Sequence, residues 1–150
     1  MRENQPGASS RREFLSGAGR AAGVSALAGV ALPHVHAAEN NTVQLALVGC
    51  GGRGTGAAIN ALSVTNGPTK LVAMADVFPK KLTASYDRLK TQFAAQVDVP
   101  SERRLLGFDA YRQAMDALKP GDVVILGTPP AFRWAQFAYA IEKNLNVFME

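Results

Sequence analysis

The stretch LALVGCGGRGTGAA, residues 45–58, places five glycines in fourteen positions directly after a run of apolar residues. The run itself, VQLALVG at 43–49, is too continuous for a strand with one exposed face, so it predicts a strand buried on both faces. Glycine costs roughly 0.5–1 kcal/mol relative to alanine in regular structure. So many glycines after a buried strand indicate that something must approach the backbone closely.

Three of these glycines, Gly49, Gly51 and Gly54, have the spacing G-x-G-x-x-G. Because they follow a buried strand and open a helix, they predict a dinucleotide-binding loop rather than a purely structural turn. In such a loop the first glycine allows the tight turn, the second lets a pyrophosphate approach the backbone, and the third lets helix and strand pack closely. The unpaired N–H groups at the helix start then face the phosphates. Gly52 and Arg53, which lie among them, are assigned to the same cofactor-binding site, where Arg53 either contacts a phosphate or is simply solvated.

An acidic residue, Asp76, ends the second apolar run, KLVAMAD at 70–76, and follows Gly54 by 22 residues. The fingerprint places an acid about 20 residues after the glycines, where its carboxylate accepts hydrogen bonds from ribose hydroxyls. A carboxylate there also repels a 2′-phosphate, so NAD is the predicted cofactor. Lys80 and Lys81 lie just beyond and weaken this repulsion, which leaves NADP open.

The rest of the chain alternates short apolar runs with longer amphipathic stretches. Strands are predicted at 43–49, 70–76, 105–108, 123–128 and 146–150, and helices at 53–64, 79–96, 109–118 and 130–144. This alternation predicts an α/β fold, a Rossmann-type doubly wound parallel sheet. In the usual strand order, 3-2-1-4-5-6, residues 146–150 supply the fifth strand. Asp109 is the expected N-cap of the third helix; in the fourth, Phe137 is expected in the core and Trp134 at the surface.

Four segments together resemble the Gfo/Idh/MocA family over residues 43–150: LALVGCGGRGTGAA, LVAMADVFPKKL, GFDAYRQAMD and VVILGTPPAFRWAQFAYAIEKNLNVFME. The resemblance implies a nicotinamide-dependent oxidoreductase with an N-terminal Rossmann domain and a C-terminal α/β domain that holds sugar-like substrates. It also implies a homo-oligomer. Within the family pattern, Thr128, Pro129 and Pro130 form a loop beside the cofactor, and Glu150 matches the first residue of a Glu-Lys-Pro motif.

The family's catalytic residues are expected beyond Glu150, where the lysine of that motif and the second domain would follow. Position 131 is alanine where the family often has histidine. The expectation is therefore that residues 39–150 form a Rossmann domain truncated before its last strand and before the substrate domain. Such a piece is expected to bind a dinucleotide without turning over substrate by itself. No metal site is predicted.

The front of the chain has the layout of a signal peptide. A charged segment, ASSRREFLSGAGR at 8–20, precedes the apolar run AAGVSALAGVALP at 21–33, which is too short to span a bilayer. The adjacent Arg11 and Arg12 in SRREFL resemble a twin-arginine export signal. Residues 1–38 are thus predicted to direct export, to the periplasm or otherwise out of the cytoplasm, through the twin-arginine machinery, with no stable membrane anchor.

The charge of the chain comes partly from this segment. Four arginines and two glutamates lie in residues 1–38, so without them the net charge falls from +4 to +2. A balance this small does not indicate a nucleic-acid partner. The single cysteine, Cys50, has no partner for an internal disulfide. Its place at a helix start is one where a thiol pKa can fall, but a role as small filler is favoured.

Three functions remain from this reading. The leading one is an exported oxidoreductase that moves a hydride between NAD(P) and a sugar or cyclitol hydroxyl. A glycoside hydrolase of the same fold, which retains its NAD through the reaction, is the first alternative. A non-catalytic dinucleotide-binding module is the second. Net consumption of NAD separates the oxidoreductase from the hydrolase.

Overall fold

The computed structural model describes residues 41–149, so the predicted signal peptide at 1–38 and Glu150 lie outside the described residues. Five strands and four helices alternate along it. The strands are β1 (Val43–Val48), β2 (Thr69–Asp76), β3 (Arg104–Leu106), β4 (Val123–Leu126) and β5 (Asn146–Met149). The helices are α1 (Gly52–Leu62), α2 (Pro79–Gln92), α3 (Ala110–Asp116) and α4 (Pro130–Glu142), and one 3₁₀ turn spans Ser101–Arg103.

The five strands form one sheet in the order β3-β2-β1-β4-β5. Every neighbouring pair is parallel. The predicted α/β class, the doubly wound topology and the position of β5 as fifth strand are therefore confirmed. In this order the direction of winding reverses between β1 and β4, which makes that point the topological switch of the sheet.

Each face of the sheet carries its own hydrophobic core, because successive side chains of a strand point to opposite faces. Leu45 and Leu47 of β1 pack on one face with residues of α1 and α2 such as Leu62 and Leu89. Ala46 and Val48 pack on the other face with residues of α3 and α4. Leu45 to Val48 are all buried, as expected for a strand covered on both sides.

The third and fourth helices differ from the sequence-based expectation at two side chains. Asp109 is the N-cap of α3 as predicted, but its side chain makes no capping hydrogen bond. Phe137 is 38% exposed, so its assignment to the core was wrong, whereas Trp134 is exposed as expected. The buried residues of α4 are instead Gln136 and Ala140. Within residues 41–149, no helix combines the length and the apolar character needed to cross a membrane.

Candidate functional site

The turn after β1 is built from glycines that contact one another. Gly49 has φ +91°, a conformation that favours glycine, and a Cβ there would lie 2.7 Å from the carbonyl carbon of Gly127. A Cβ on Gly54 would lie 2.0 Å from the carbonyl oxygen of Gly49. A Cβ on Gly127 would lie 2.6 Å from the Cα of Gly54. The start of α1 can therefore approach β1 and β4 this closely only because all three positions lack a side chain.

Gly51 is different, because the fold itself does not require glycine there. It is the N-cap of α1 with φ −71°, which any residue adopts, and a Cβ on it would meet nothing within 4 Å. Helix α1 also has no side-chain cap, and the first N–H groups of an α-helix have no partner inside the helix. Gly51 thus leaves open space in front of a helix N-terminus, where an anionic group is favoured.

Asp76, at the end of β2, contacts the residues 49–51, which we call the glycine loop. Its Oδ2 accepts a hydrogen bond from the N–H of Cys50 at 2.6 Å. Its Oδ1 accepts another from the N–H of Phe78 at 2.8 Å. Nearby, the Lys81 ammonium lies 4.7 Å from the centre of the Phe78 ring. The structure therefore brings the predicted acid and the glycines together, and it shows a carboxylate already bonded to backbone on both oxygens.

The Cys50 thiol is buried, and its Sγ donates to the carbonyl oxygen of Ala75 at 3.5 Å. Burial, and secondly the negative charge of Asp76, raise the pKa of this thiol well above its ordinary value. The fall in pKa that a helix N-terminus can produce is therefore outweighed. A protonated, enclosed thiol is a poor nucleophile, so the structure agrees with the interpretation of Cys50 as filler.

A cleft of about 770 Å³ opens at the carboxyl ends of the strands, next to the topological switch. Parallel α/β sheets bind their ligands at this place. Six of the residues predicted from the sequence line it: Gly49, Gly51, Arg53, Asp76, Thr128 and Pro129.

Three other predicted residues, Gly52, Gly54 and Pro130, lie outside the lining of this cleft. Gly54 lies behind the glycine loop, in the contact with Gly49 and Gly127. Gly52 lines a smaller adjoining groove of about 350 Å³ together with Lys80 and Arg88. Pro130 begins α4 rather than lining the cleft.

Three exposed phenylalanines line the cleft: Phe78 after β2, Phe108 after β3 and Phe132 in the first turn of α4. Phe108 is 73% exposed, and its ring centre lies 6.1 Å from that of Phe132. This pair joins the loop after β3 to the first turn of α4. Exposed aromatic rings beside a glycine-lined pocket offer flat apolar surfaces to a ring-shaped ligand.

The loop after β4 is held by α4. The Thr128 hydroxyl donates to the side-chain carbonyl oxygen of Gln136 at 2.6 Å, and Gln136 is buried. The Nε of Arg133 donates to the Thr128 backbone carbonyl at 2.6 Å. Both bonds stabilise the position of Thr128 at the edge of the cleft.

The sequence reasoning missed Gly127, the three phenylalanines and Gln136 as parts of this site. One signal was present for the first two groups, since they lie at or shortly after the carboxyl ends of predicted parallel strands, and such ends meet at one edge of a sheet. Nothing local marked Gln136, because its contact with Thr128 depends on how α4 lies against β4. Within residues 41–149, the structure contains no group of three or more metal-ligating side chains.

The sequence matches no protein-family model, and it matches no curated protein. The structure is similar to solved structures. Two crystal structures of apo scyllo-inositol dehydrogenase from Lactobacillus casei align with a TM-score of 0.51 and 24% identity. A WlbA dehydrogenase from Chromobacterium violaceum, in complex with NADH and UDP-GlcNAcA, aligns with a TM-score of 0.41 and 18% identity.

Each alignment covers 73% of this chain, but only 28% of the scyllo-inositol dehydrogenase and 35% of the WlbA dehydrogenase. The chain therefore spans less than a third of the inositol dehydrogenase. At this level of identity the likeness to the scyllo-inositol dehydrogenase shows the fold alone, which is the parallel α/β fold described above.

Proposed function

We propose that this chain binds NAD in the cleft and forms the dinucleotide-binding part of an oxidoreductase of the Gfo/Idh/MocA type. The observation that carries the proposal is Gly51, a glycine that the fold does not need, at a helix N-terminus that opens into the cleft. A side chain there would occupy the space that a pyrophosphate needs. The residues present thus fit a dinucleotide.

The neighbouring residues have distinct roles in this proposal. The N–H groups at the start of α1 and the dipole of that helix bind the pyrophosphate. Asp76 accepts hydrogen bonds from the adenosine ribose hydroxyls, while the phenylalanine rings offer stacking surface to the adenine. Thr128 and Pro129 line the opposite part of the cleft. When bound, the nicotinamide supplies the hydride acceptor for oxidation of an alcohol.

We further propose a sugar or cyclitol hydroxyl as the substrate. The support is the shared fold with a scyllo-inositol dehydrogenase and the family resemblance of residues 43–150. Oxidation of a ring hydroxyl to a ketone releases one hydride and one proton. In this proposal the chain binds and orients the dinucleotide that accepts the hydride.

NAD is expected to bind about tenfold more tightly than NADP. A 2′-phosphate at ~4 Å from the Asp76 carboxylate meets a Coulomb repulsion on the order of 4 kcal/mol at an effective dielectric of 20. Lys81 lines the same cleft and offsets part of this repulsion. Titration of the 150-residue chain with each dinucleotide by calorimetry measures the ratio.

Two lysine variants make this comparison sharper. Lys81→Gln should increase the preference for NAD, because it removes the cation and leaves the carboxylate. Lys70→Gln is the matched control, since Lys70 lies near the amino end of β2 and pairs with Asp98 at 3.1 Å. Equal affinity for both dinucleotides would contradict the role of Asp76, and no binding of either at millimolar concentration would overturn the proposed function.

We also propose that the protein is exported through the twin-arginine pathway, on the sequence of residues 8–38. Replacing Arg11 and Arg12 together by lysine should leave the precursor in the cytoplasm, because the receptor reads the arginine pair as an address. Cell fractionation followed by immunoblotting measures this. A single Arg20→Lys variant is the control, and undiminished export of the double variant would refute the proposal.

A further inference from the structure

Asp76 bridges two backbone segments as well as facing the cleft. One carboxylate oxygen accepts a hydrogen bond from the Cys50 N–H at 2.6 Å, and the other accepts one from the Phe78 N–H at 2.8 Å. The first bond crosses from the end of β2 to the glycine loop, and the second closes the turn into α2. Hydrogen bonds to an ionised acceptor are roughly twice as strong as neutral ones.

The peptide groups around Cys50 are held from several sides. The Cys50 carbonyl accepts a hydrogen bond from the Thr55 hydroxyl at 3.3 Å, and the Thr55 hydroxyl is also 2.8 Å from that of Ser85. In a trans peptide the carbonyl and the following N–H point in opposite directions. The Gly51 N–H therefore points away from Thr55, and Gly51 lines the cleft. The hydrogen bond to Asp76 holds the peptide group between Gly49 and Cys50. It therefore restrains the glycine loop from the side of β2 as well.

We propose that Asp76 is a positioning residue for the pyrophosphate, which it affects through the glycine loop, in addition to any contact with the ribose. The inference rests on the proposed function and deepens it. The two roles are compatible, because each carboxylate oxygen has two lone pairs and each uses one on a backbone N–H. Asp76 thus couples the binding of the ribose to the arrangement of the N–H groups that bind the phosphates.

Asp122 offers a matched comparison within the same chain. Its Oδ1 accepts a hydrogen bond from the Gln44 N–H at 3.0 Å, and its Oδ2 accepts one from the Lys119 N–H at 2.8 Å. It too is an aspartate that bonds two backbone segments, but it precedes β4 and lies at the amino ends of the strands, opposite the cleft. Replacing it removes the same kind of bonds without touching the glycine loop.

The decisive ligand is an NAD analogue whose adenosine half is 2′,3′-dideoxyadenosine. It keeps the pyrophosphate but lacks the hydroxyls that a carboxylate would bind, so a residue that acts only on the ribose has no effect on its affinity. We expect Asp76→Ala to bind this analogue about tenfold more weakly than the wild type does, which corresponds to one charge-assisted hydrogen bond. The affinity of Asp76→Asn for the analogue should lie between those of the wild type and Asp76→Ala, because asparagine keeps one acceptor oxygen. Asp122→Ala should change the affinity less than twofold.

A second measurement needs no ligand. Amide hydrogen exchange at one of the two residues Cys50 and Phe78 should be at least about tenfold faster in Asp76→Asn than in the wild type, because one of the two N–H groups loses its acceptor. This variant is used if Asp76→Ala fails to fold. Equal analogue affinity in wild type and Asp76→Ala, or unchanged exchange at both amides in Asp76→Asn, would overturn the inference. If wild type binds no NAD while the exchange result holds, the proposed function is wrong and the loop role of Asp76 stands.

Discussion

Replacing Gly54 by alanine is expected to lower the free energy of unfolding by about 3 kcal/mol and to abolish measurable NAD binding. The added Cβ would lie 2.0 Å from the Gly49 carbonyl oxygen, and overpacking of this kind costs 1–3 kcal/mol or more. Because the atom it meets is backbone, no change of side-chain rotamer relieves the contact. The loop and the start of α1 must separate, which displaces the N–H groups proposed to bind the phosphates. Urea unfolding followed by circular dichroism, together with calorimetric titration of NAD, measures both effects.

The same helix contains the control for this prediction. Gly56 lies in α1 two residues further on, and a Cβ there would meet nothing within 4 Å. Gly56→Ala should therefore raise the free energy of unfolding by roughly 0.5–1 kcal/mol, the ordinary gain from alanine in a helix interior. If Gly54→Ala were as stable as Gly56→Ala, the close packing of Gly49, Gly54 and Gly127 would be wrong.

Replacing Gly51 by valine is expected to leave the fold nearly intact while weakening NAD binding about 100-fold. The backbone of Gly51 has an ordinary φ of −71° and open space around its Cβ position, so the loss of stability should stay near 1 kcal/mol, the cost of a poorer N-cap. The valine side chain would enter the cleft where the pyrophosphate must approach the backbone. A loss of about 2.7 kcal/mol in binding corresponds to the 100-fold weaker affinity.

Gly56→Val tests whether the effect belongs to this position. It adds the same side chain to α1, outside the residues that line the cleft, and should leave the affinity for NAD unchanged. The affinity of Gly51→Ala for NAD should lie between those of the wild type and Gly51→Val, because alanine adds one carbon instead of three. Wild-type affinity in Gly51→Val would remove the main support for a dinucleotide in the cleft.

The contrast between these glycines shows where sequence reasoning was sufficient. The spacing of Gly49, Gly51 and Gly54 behind a continuous apolar run predicts the loop, since turn geometry and helix start depend on residues close in the chain. The same spacing does not distinguish Gly54, which backbone packing requires, from Gly51, which it does not. That difference depends on what a Cβ would meet at each position, which is the Gly49 carbonyl oxygen at Gly54 and nothing within 4 Å at Gly51.

The side chains of α4 show a feature that the sequence did not predict, namely which face of the helix is buried. Their pattern led to the assignment of Phe137 to the core, yet Phe137 is 38% exposed and the polar Gln136 is buried beside Thr128. A helical period indicates that one face is buried, but it does not say which face when apolar residues occur all round. The orientation of α4 is decided by its contacts with α3, β4 and β5.

The sequence by itself determined the alternation of strands and helices, the parallel sheet and the glycine loop, because these follow from short-range backbone preferences and from the period of apolar residues. The tertiary structure alone decided the contact of Gly127 with Gly54, the pairing of Phe108 with Phe132 and the hydrogen bond from the Cys50 N–H to Asp76. Most of these contacts join segments that are far apart in the chain. Their geometry is set by the order and register of the strands, which bring the carboxyl ends of β1 to β4 together at one edge of the sheet.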